Sequence, residues 1–271
     1  MMGRIKKENI SKTKDVVAGL GEIGRPILQL ISKGTTTSGY DINPKLNTKS
    51  SKKFSSLETN FLHICIPFSG KFIQNVLALN KKYQPKGIII HSTISPGTTK
   101  KLQEKLSIPS IYSATRGVHK RMLYDLKRYT KFFAIESDAP KAKWATKTFS
   151  NLMKKCKVKT KKMSNPKTLE LAKIIVDTSY YGWLINYAQI SNMVTKKHGV
   201  DYDEMWSFAD EIHKYLGNRP KMYPGFIEGH CVVENLELIN NETLNMIDEI
   251  NNLHASKVKY AKSIAKKYQK N

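Results

Sequence analysis

Cysteine is scarce in this chain: Cys65, Cys156 and Cys231 are the three in 271 residues. They show no CxxC spacing and no metal-ligand pattern, which argues against a disulfide framework and against a metal site. Cys65 reads as a core residue of an apolar strand and Cys156 as a bystander in a lysine-rich stretch. Acidic residues are also few, with 22 Asp and Glu against 46 Lys and Arg, a formal net charge of +24. That balance favours acidic ligands such as dinucleotides and sugar phosphates. The basic residues are spread along the whole length, densest from Lys154 to Lys162 and then from Lys257 to Lys270. No zinc-finger, RNA-recognition or KH signature accompanies them, so a solvated lysine-rich surface is expected and a nucleic-acid partner is not. No apolar run approaches the ~20 residues that span a bilayer, so no membrane partner is expected. Met1 to Lys14 is polar and basic, without the apolar centre of a secretory signal, and the expected location is cytoplasmic. Internal repeats and low-complexity segments are missing as well.

What is present is a glycine turn in a telling context. Gly19-Leu20-Gly21-Glu22-Ile23-Gly24 follows the apolar Asp15-Val16-Val17-Ala18 and precedes Pro26 to Ile31, which is spaced as a helix. In such a strand-turn-helix unit Gly19 permits the tight turn, Gly21 lets backbone approach a pyrophosphate, and Gly24 allows close helix–strand packing. Phosphates would lie over the helix N-terminus, against the backbone of Glu22 and Ile23. A second β-prone stretch, Thr35 to Ile42, carries Asp41, 20 residues after Gly21. A carboxylate there accepts hydrogen bonds from an adenosine ribose and repels a 2′-phosphate, so the cofactor read from these residues is NAD in preference to NADP. Asn43, Lys45 and Lys49 follow closely, and a basic residue nearby is the feature that would admit NADP.

Further strands are expected at Phe61–Ile66, Gly87–His91, Ser110–Ala114 and Thr130–Glu136. Helices are expected at Lys71–Tyr83, after Thr99, and at Ala139–Met153. Alternation at this pitch means an α/β fold, a doubly wound and mostly parallel Rossmann sheet, with ligands at the carboxyl ends of the strands. Pro67, Ser92, Thr93 and Arg116 fall at such ends. The pattern changes near Asn165-Pro166. Lys167 to His198 reads as one long helix, apolar on nearly every face, with Gly182 as its weak point. An all-round apolar helix is buried centrally or shared between subunits. Its residues would span roughly 50 Å at ~1.5 Å each, which suggests a homodimer. Asp201–Leu216 and the segment from Thr243 also read as helical. The expected domains are 1–164, binding NAD, and 165–271, an all-helical substrate and dimerisation domain.

A nicotinamide domain followed by one long helix and a smaller helical domain resembles the 6-phosphogluconate dehydrogenase-like superfamily. Three segments carry the resemblance. His91-Ser92-Thr93-Ile94-Ser95-Pro96-Gly97-Thr98-Thr99 is similar to a serine-threonine-x-x-proline segment found in two branches, the nucleotide-sugar dehydrogenases and the β-hydroxyacid dehydrogenases. It implies contacts from Ser92 and Thr93 to the nicotinamide side or the substrate. On the residues alone, Ser95 before Pro96 suits a helix N-cap. The segment Glu170 to Asp177 resembles the lysine-x-x-x-asparagine motif of the central helix. Lys173 and Asp177 share one helix face, and an ammonium there could stabilise a developing alkoxide. The family has asparagine where Asp177 stands, and a carboxylate would pair with Lys173 and hold it protonated.

Gly225 to Val233 resembles the glycine-glycine-histidine-cysteine segment of nucleotide-sugar dehydrogenases. The resemblance implies Cys231 as a thiol nucleophile toward an aldehyde, with Gly229 and His230 beside the substrate. Departures accompany it: Val233 and Asn235 stand where that family has proline and aspartate, and Thr115 and His119 where it has two glutamates. His119 could still act as a base near neutral pH. Arg116, His119, Lys120 and Arg121 are candidate substrate contacts. A nucleotide-sugar dehydrogenase also carries a third domain for which 271 residues leave no room. The expected function is therefore an NAD-dependent dehydrogenase acting on CH–OH groups. Its substrate is an acidic small molecule, most simply a nucleotide sugar. A two-domain β-hydroxyacid dehydrogenase and an NAD-binding protein without turnover are the alternatives.

Overall fold

The computed structural model describes residues 13–210, 212, 215, 224–227, 232–238 and 242–258. Contacts divide the chain into two units, Met1–Leu171 and Ala172–Asn271.

The first unit is built on a seven-stranded sheet. Its strands are β1 (Thr13–Ala18), β2 (Thr37–Tyr40), β3 (Glu58–Ile64), β4 (Gly87–Ile90), β5 (Ser110–Tyr112), β6 (Lys131–Ile135) and β7 (Thr160–Lys162). They lie in the order β2-β1-β3-β4-β5-β6-β7, and β5 with β6 is the antiparallel pair. The helices are α1 (Gly24–Ile31), the short α2 (Ser50–Lys53), α3 (Phe72–Tyr83), α4 (Thr98–Gln103), α5 (Met122–Arg128) and α6 (Ala142–Lys155). α7 (Pro166–Ala172) ends at the division between the units. Successive strand residues go to opposite faces, and both faces are apolar. Val17, Phe61, Ile89, Ile111 and Phe133 pack with α1, α5 and α6, whereas Val16, Leu62, Ile88, Tyr112 and Ala134 pack with α3 and α4. Burial on both faces is what turns the expected alternation into continuous apolar runs such as Gly87-Ile88-Ile89-Ile90. The strand order reverses between β1 and β3, which puts the ligand crevice of such a sheet beyond their carboxyl ends.

The second unit begins with a π-helical segment, Lys173–Ser179, that runs into α8 (Tyr180–His198). α9 (Tyr202–Ser207), α10 (Val233–Glu237) and α11 (Glu242–Lys257) follow. α8 stops at Gly199, whose φ of +67° places it in the left-handed region that favours glycine. Gly182 is no weak point. A β-carbon there would sit 3.1 Å from both Ile247 and Val232, so the glycine is what lets α11 and the stretch before α10 approach. Central burial, one of the two expectations for α8, does not hold within one chain. Its buried residues are Gly182, Asn186, Ala188, Gln189, Asn192 and Thr195, while Tyr180, Tyr181, Tyr187, Ile190 and Val194 are exposed. The reason is a polar interface with α11 and the preceding loop. Asn186 Nδ2 donates to Gln189 Oε1 and the Ile247 carbonyl, and Gln189 Nε2 donates to Asn251 Oδ1 and the Gly225 carbonyl. Among the described residues no helix is long and apolar enough to cross a membrane.

Candidate functional site

Two of the three glycines are fixed by the fold and one is not. Gly19 has φ +88°, and a β-carbon on it would meet the Cys65 carbonyl at 2.7 Å. One on Gly24 would lie 1.6 Å from the Gly19 carbonyl oxygen, because α1 starts directly on the turn. At Gly21 a β-carbon would meet nothing within 4 Å. Close packing therefore explains Gly19 and Gly24, and open space beside the backbone is what Gly21 supplies. Ile23, at the N-cap of α1, makes no side-chain cap, while the Arg25 amide donates to the Gly21 carbonyl at 3.2 Å and Pro26 has no amide hydrogen.

Asp41 folds back onto the same turn. Its Oδ2 accepts from the Leu20 amide at 2.7 Å and its Oδ1 from the Asn43 amide at 2.8 Å. The Asp41 amide donates to Asn47 Oδ1 at 2.6 Å, which pins the loop after β2. A depression of about 440 Å³ opens alongside, walled by Leu20, Gly21, Glu22, Arg25, Pro26 and Leu46. The residues present thus fit a dinucleotide: a free approach at Gly21, a helix start without a side-chain cap, and a carboxylate at the edge.

Other candidates fall around this turn to different degrees. Glu22 Oε2 meets His119 Nδ1 at 2.8 Å, which joins the glycine turn to the loop after β5. Ser92 Oγ donates to the Ile66 carbonyl at 2.6 Å, tying the loops that follow β3 and β4. Pro67 is exposed and Thr93 half-buried beside them. Arg116 donates to the Thr130 carbonyl at 3.0 Å and lies over the rings of Tyr129 and Phe132. Ser95 is not the cap of α4. Gly97 takes that position with φ +87°, and the buried Glu170 carboxylate accepts from the amides of Gly97 and Thr99 and from the Thr99 hydroxyl.

In the second unit Lys173 Nζ and Asp177 Oδ2 form an ion pair, 13 % and 39 % exposed, within the π-helical segment. Such a widened turn costs regularity and recurs at functional sites. Gly229, His230 and Cys231 lie outside the described residues. Of the other thiols, Cys65 is pushed up to about 12 by burial and Cys156 is raised for the same reason, so neither is poised as a nucleophile.

A buried polar line runs through the sheet that sequence reasoning missed: Asp15, His63 and His91, with Lys131 nearby. Lys131 Nζ donates to the Ala114 carbonyl at 3.1 Å and to Thr115 Oγ1 at 3.2 Å. His91 is held well below the ordinary histidine range by burial first, then by the Lys131 and His63 charges. Single polar residues inside apolar strands were the available signal.

No protein-family model matches the sequence, and no curated protein matches it either. Solved structures do share its fold. A UDP-D-ManNAc dehydrogenase from Pyrococcus horikoshii superposes with a TM-score of 0.72 at 20% identity, over 90% of this chain and 69% of that one. The UDP-N-acetyl-mannosamine dehydrogenase Cap5O from Staphylococcus aureus gives 0.68 at 18% identity over the same shares, 90% and 69%. A 3-hydroxyisobutyrate dehydrogenase from Mycobacterium tuberculosis gives 0.64 at 15% identity, over 93% of this chain and 97% of that one.

Proposed function

We propose that the chain is an NAD-dependent dehydrogenase acting on an alcohol group, with a nucleotide sugar as its substrate. The observation that carries this reading is the glycine turn with Asp41 laid across it. The turn has space only at Gly21, and its carboxylate is placed for ribose hydroxyls. When bound, NAD supplies the hydride acceptor. The chain's own part is to hold the pyrophosphate on the amides of Glu22 and Ile23, the ribose on Asp41, and the nicotinamide side on Pro67, Ser92 and Thr93. Asp41 favours NAD over its 2′-phosphorylated form by charge. Lys173 stabilises the alkoxide as the alcohol proton leaves, and Asp177 orients the ammonium. Arg116 and His119 are the proposed substrate contacts, with Gly229 and His230. Cys231 takes the role of thiol nucleophile when oxidation continues past the aldehyde.

The fold shared with UDP-sugar dehydrogenases supports this choice of substrate. The near-complete overlap with a 3-hydroxyisobutyrate dehydrogenase favours a second reading, a small β-hydroxyacid with Cys231 uninvolved. Val176, Tyr180 and Tyr187 are 68%, 58% and 63% exposed on one chain, which supports a homodimer built on the second unit.

The test is NADH formation against UDP- and GDP-sugars and β-hydroxyacids. Two NADH per nucleotide sugar, lost in Cys231→Ser, is the expected result. Turnover of a hydroxyacid with Cys231→Ser unimpaired selects the second reading. NAD binding without turnover of either class refutes both.

A further inference from the structure

Three polar contacts run in a line through the interior of the sheet. Asp15 Oδ2 on β1 faces His63 Nε2 on β3 at 3.3 Å, and His63 Nδ1 faces His91 Nε2 at 2.9 Å. His91, just past β4, turns its Nδ1 to the Ser113 carbonyl at 3.2 Å. The three side chains are at most 2% exposed. The two imidazole planes differ by 3°, the arrangement of rings that share an in-plane proton.

The contacts can be counted in protons. A carbonyl only accepts, so His91 Nδ1 carries a hydrogen. The contact between the rings needs a second, and the contact between His63 and Asp15 a third. Two neutral imidazoles bring two, and an ionised carboxylate brings none. Asp15 cannot turn aside, because its other oxygen accepts from the Phe61 amide at 3.1 Å. Burial and the charge of Lys131 keep the additional proton off His91.

We infer that His63 holds this third proton as an imidazolium facing the Asp15 carboxylate, and that the protonated line positions the carboxyl ends of β3, β4 and β5 for the cofactor. The positioning half rests on the dinucleotide reading above, and the proton count does not. The line ends where Cys65, Pro67, Ser92 and Thr93 begin. The other titratable groups around it include Lys131 on β6, Cys65 after β3, and Cys156 after α6, whose thiol the Asp15 charge helps to raise. They also include Lys154 and Lys155 on α6, which line a cavity with Asp15. Loss of the third proton leaves His63 Nε2 and the carboxylate as two acceptors face to face, a costly arrangement away from water. The cavity that Asp15 borders measures about 600 Å³ and is walled by Gly34, Asn60 and Lys154 among others.

Asp15→Asn separates the proton from the packing. Its amide can donate to His63 Nε2 while its oxygen still accepts from the Phe61 amide, so two neutral imidazoles complete the same line. Long-range proton–nitrogen spectra of the full chain with labelled histidine read the state of each ring nitrogen directly. At neutral pH we expect both His63 nitrogens protonated in the wild type and one in Asp15→Asn. The signal is assigned by its loss in His63→Gln or, if that variant does not fold, by its change in Asp15→Asn. NAD titration toward alkaline pH should show wild-type affinity falling about tenfold as the third proton leaves, against a flat profile for Asp15→Asn. A singly protonated His63 in the wild type overturns the proton assignment. A doubly protonated His63 with equal pH profiles in both chains overturns positioning. No NAD binding by either chain removes the dinucleotide reading and the positioning role together, while the spectrum still decides the proton.

Discussion

The two units bury opposite kinds of residue. In the first, the sheet residues that face helices are valine, isoleucine, leucine and phenylalanine, and the buried polar line is an exception inside them. In the second, α8 buries Asn186, Gln189, Asn192 and Thr195 beside Ala188, and exposes its tyrosines with Ile190 and Val194. It rests Trp183 and Ile185 on a small apolar cluster of Ile174, Ile227, Val232, Leu236 and Ile247. A sheet covered on both faces is complete within one chain. A helix that pairs most of its buried amides within the chain and exposes its apolar side has left part of its hydrophobic burial to something else. The first unit is therefore expected to be stable by itself, and the second to depend on a partner.

The largest effect expected belongs to the first unit. Gly24→Ala drives a β-carbon to 1.6 Å from the Gly19 oxygen, so the start of α1 must leave the turn. A loss of about 4 kcal/mol or more, or an unfolded first unit, is expected in urea melts. Gly21→Ala is its control. With nothing within 4 Å, it should change stability by no more than about 1 kcal/mol yet sharply weaken NAD in a fluorescence titration. If Gly21→Ala instead leaves NAD affinity intact, the open space at that turn is not the cofactor's.

In the second unit the amides replace the apolar core as the point of weakness. Gln189→Leu removes the donor to the Gly225 carbonyl and to Asn251 Oδ1. A loss of about 2 kcal/mol is expected despite the gain in hydrophobicity. A stabilised Gln189→Leu would show that the polar interface contributes nothing, and the contrast between the units would fall.

Much of the first unit was legible because its signals are local. The glycine spacing, the β-branched runs of Ile88–Ile90 and the aspartate after β2 each act over a few residues. Asp41 was found by distance along the chain, and Gly19 and Gly24 by what a turn and a helix start require. α5 and β7 escaped because Met122–Arg128 and Thr160–Lys162 are short and rich in lysine and arginine, with little periodicity to read. The Glu170 carboxylate at α4 and the Asp15–His63–His91 line depend on pairings between residues 28 to 73 positions apart. One sequence shows the single polar residues but not which of them pair. The orientation of α8 was missed for a different reason: hydrophobicity predicts burial only when burial happens within the chain. The helix was read as apolar all round, whereas its amides settled which side faces α11. The boundary at 164 remains an expectation of the pattern change near Asn165-Pro166, and the catalytic roles of Lys173 and Cys231 remain proposals drawn from the resemblance.

Acid should separate the units more gently. Burial lowers His254 on α11 below the ordinary histidine value of 6.5. Its unfolded form therefore takes a proton first, and the stability it contributes is present above that value and declines as pH falls. The same sign holds for His91 in the first unit, which is held lower still. Thermal melts of His254→Asn should lose stability less steeply on the acid side than the wild type. An equal slope would mean that the histidine is not buried in solution.

The smallest effect on folding, and the one that bears most directly on the contrast, is expected at Val176. This residue is 68% exposed on the π-helical segment, so within one chain its side chain has little to lose. Val176→Asp should alter the urea midpoint of dilute protein by less than about 0.5 kcal/mol, as surface substitutions do. At higher concentration the outcome diverges if a second copy covers Tyr180, Tyr181 and Tyr187. Burying an unpaired carboxylate in that interface would then shift sedimentation from dimer to monomer. A chain that is monomeric before the substitution would leave those rings in water. The exposed face of α8 would then need a different kind of partner, and the second unit's dependence on another copy of itself would be lost as an explanation.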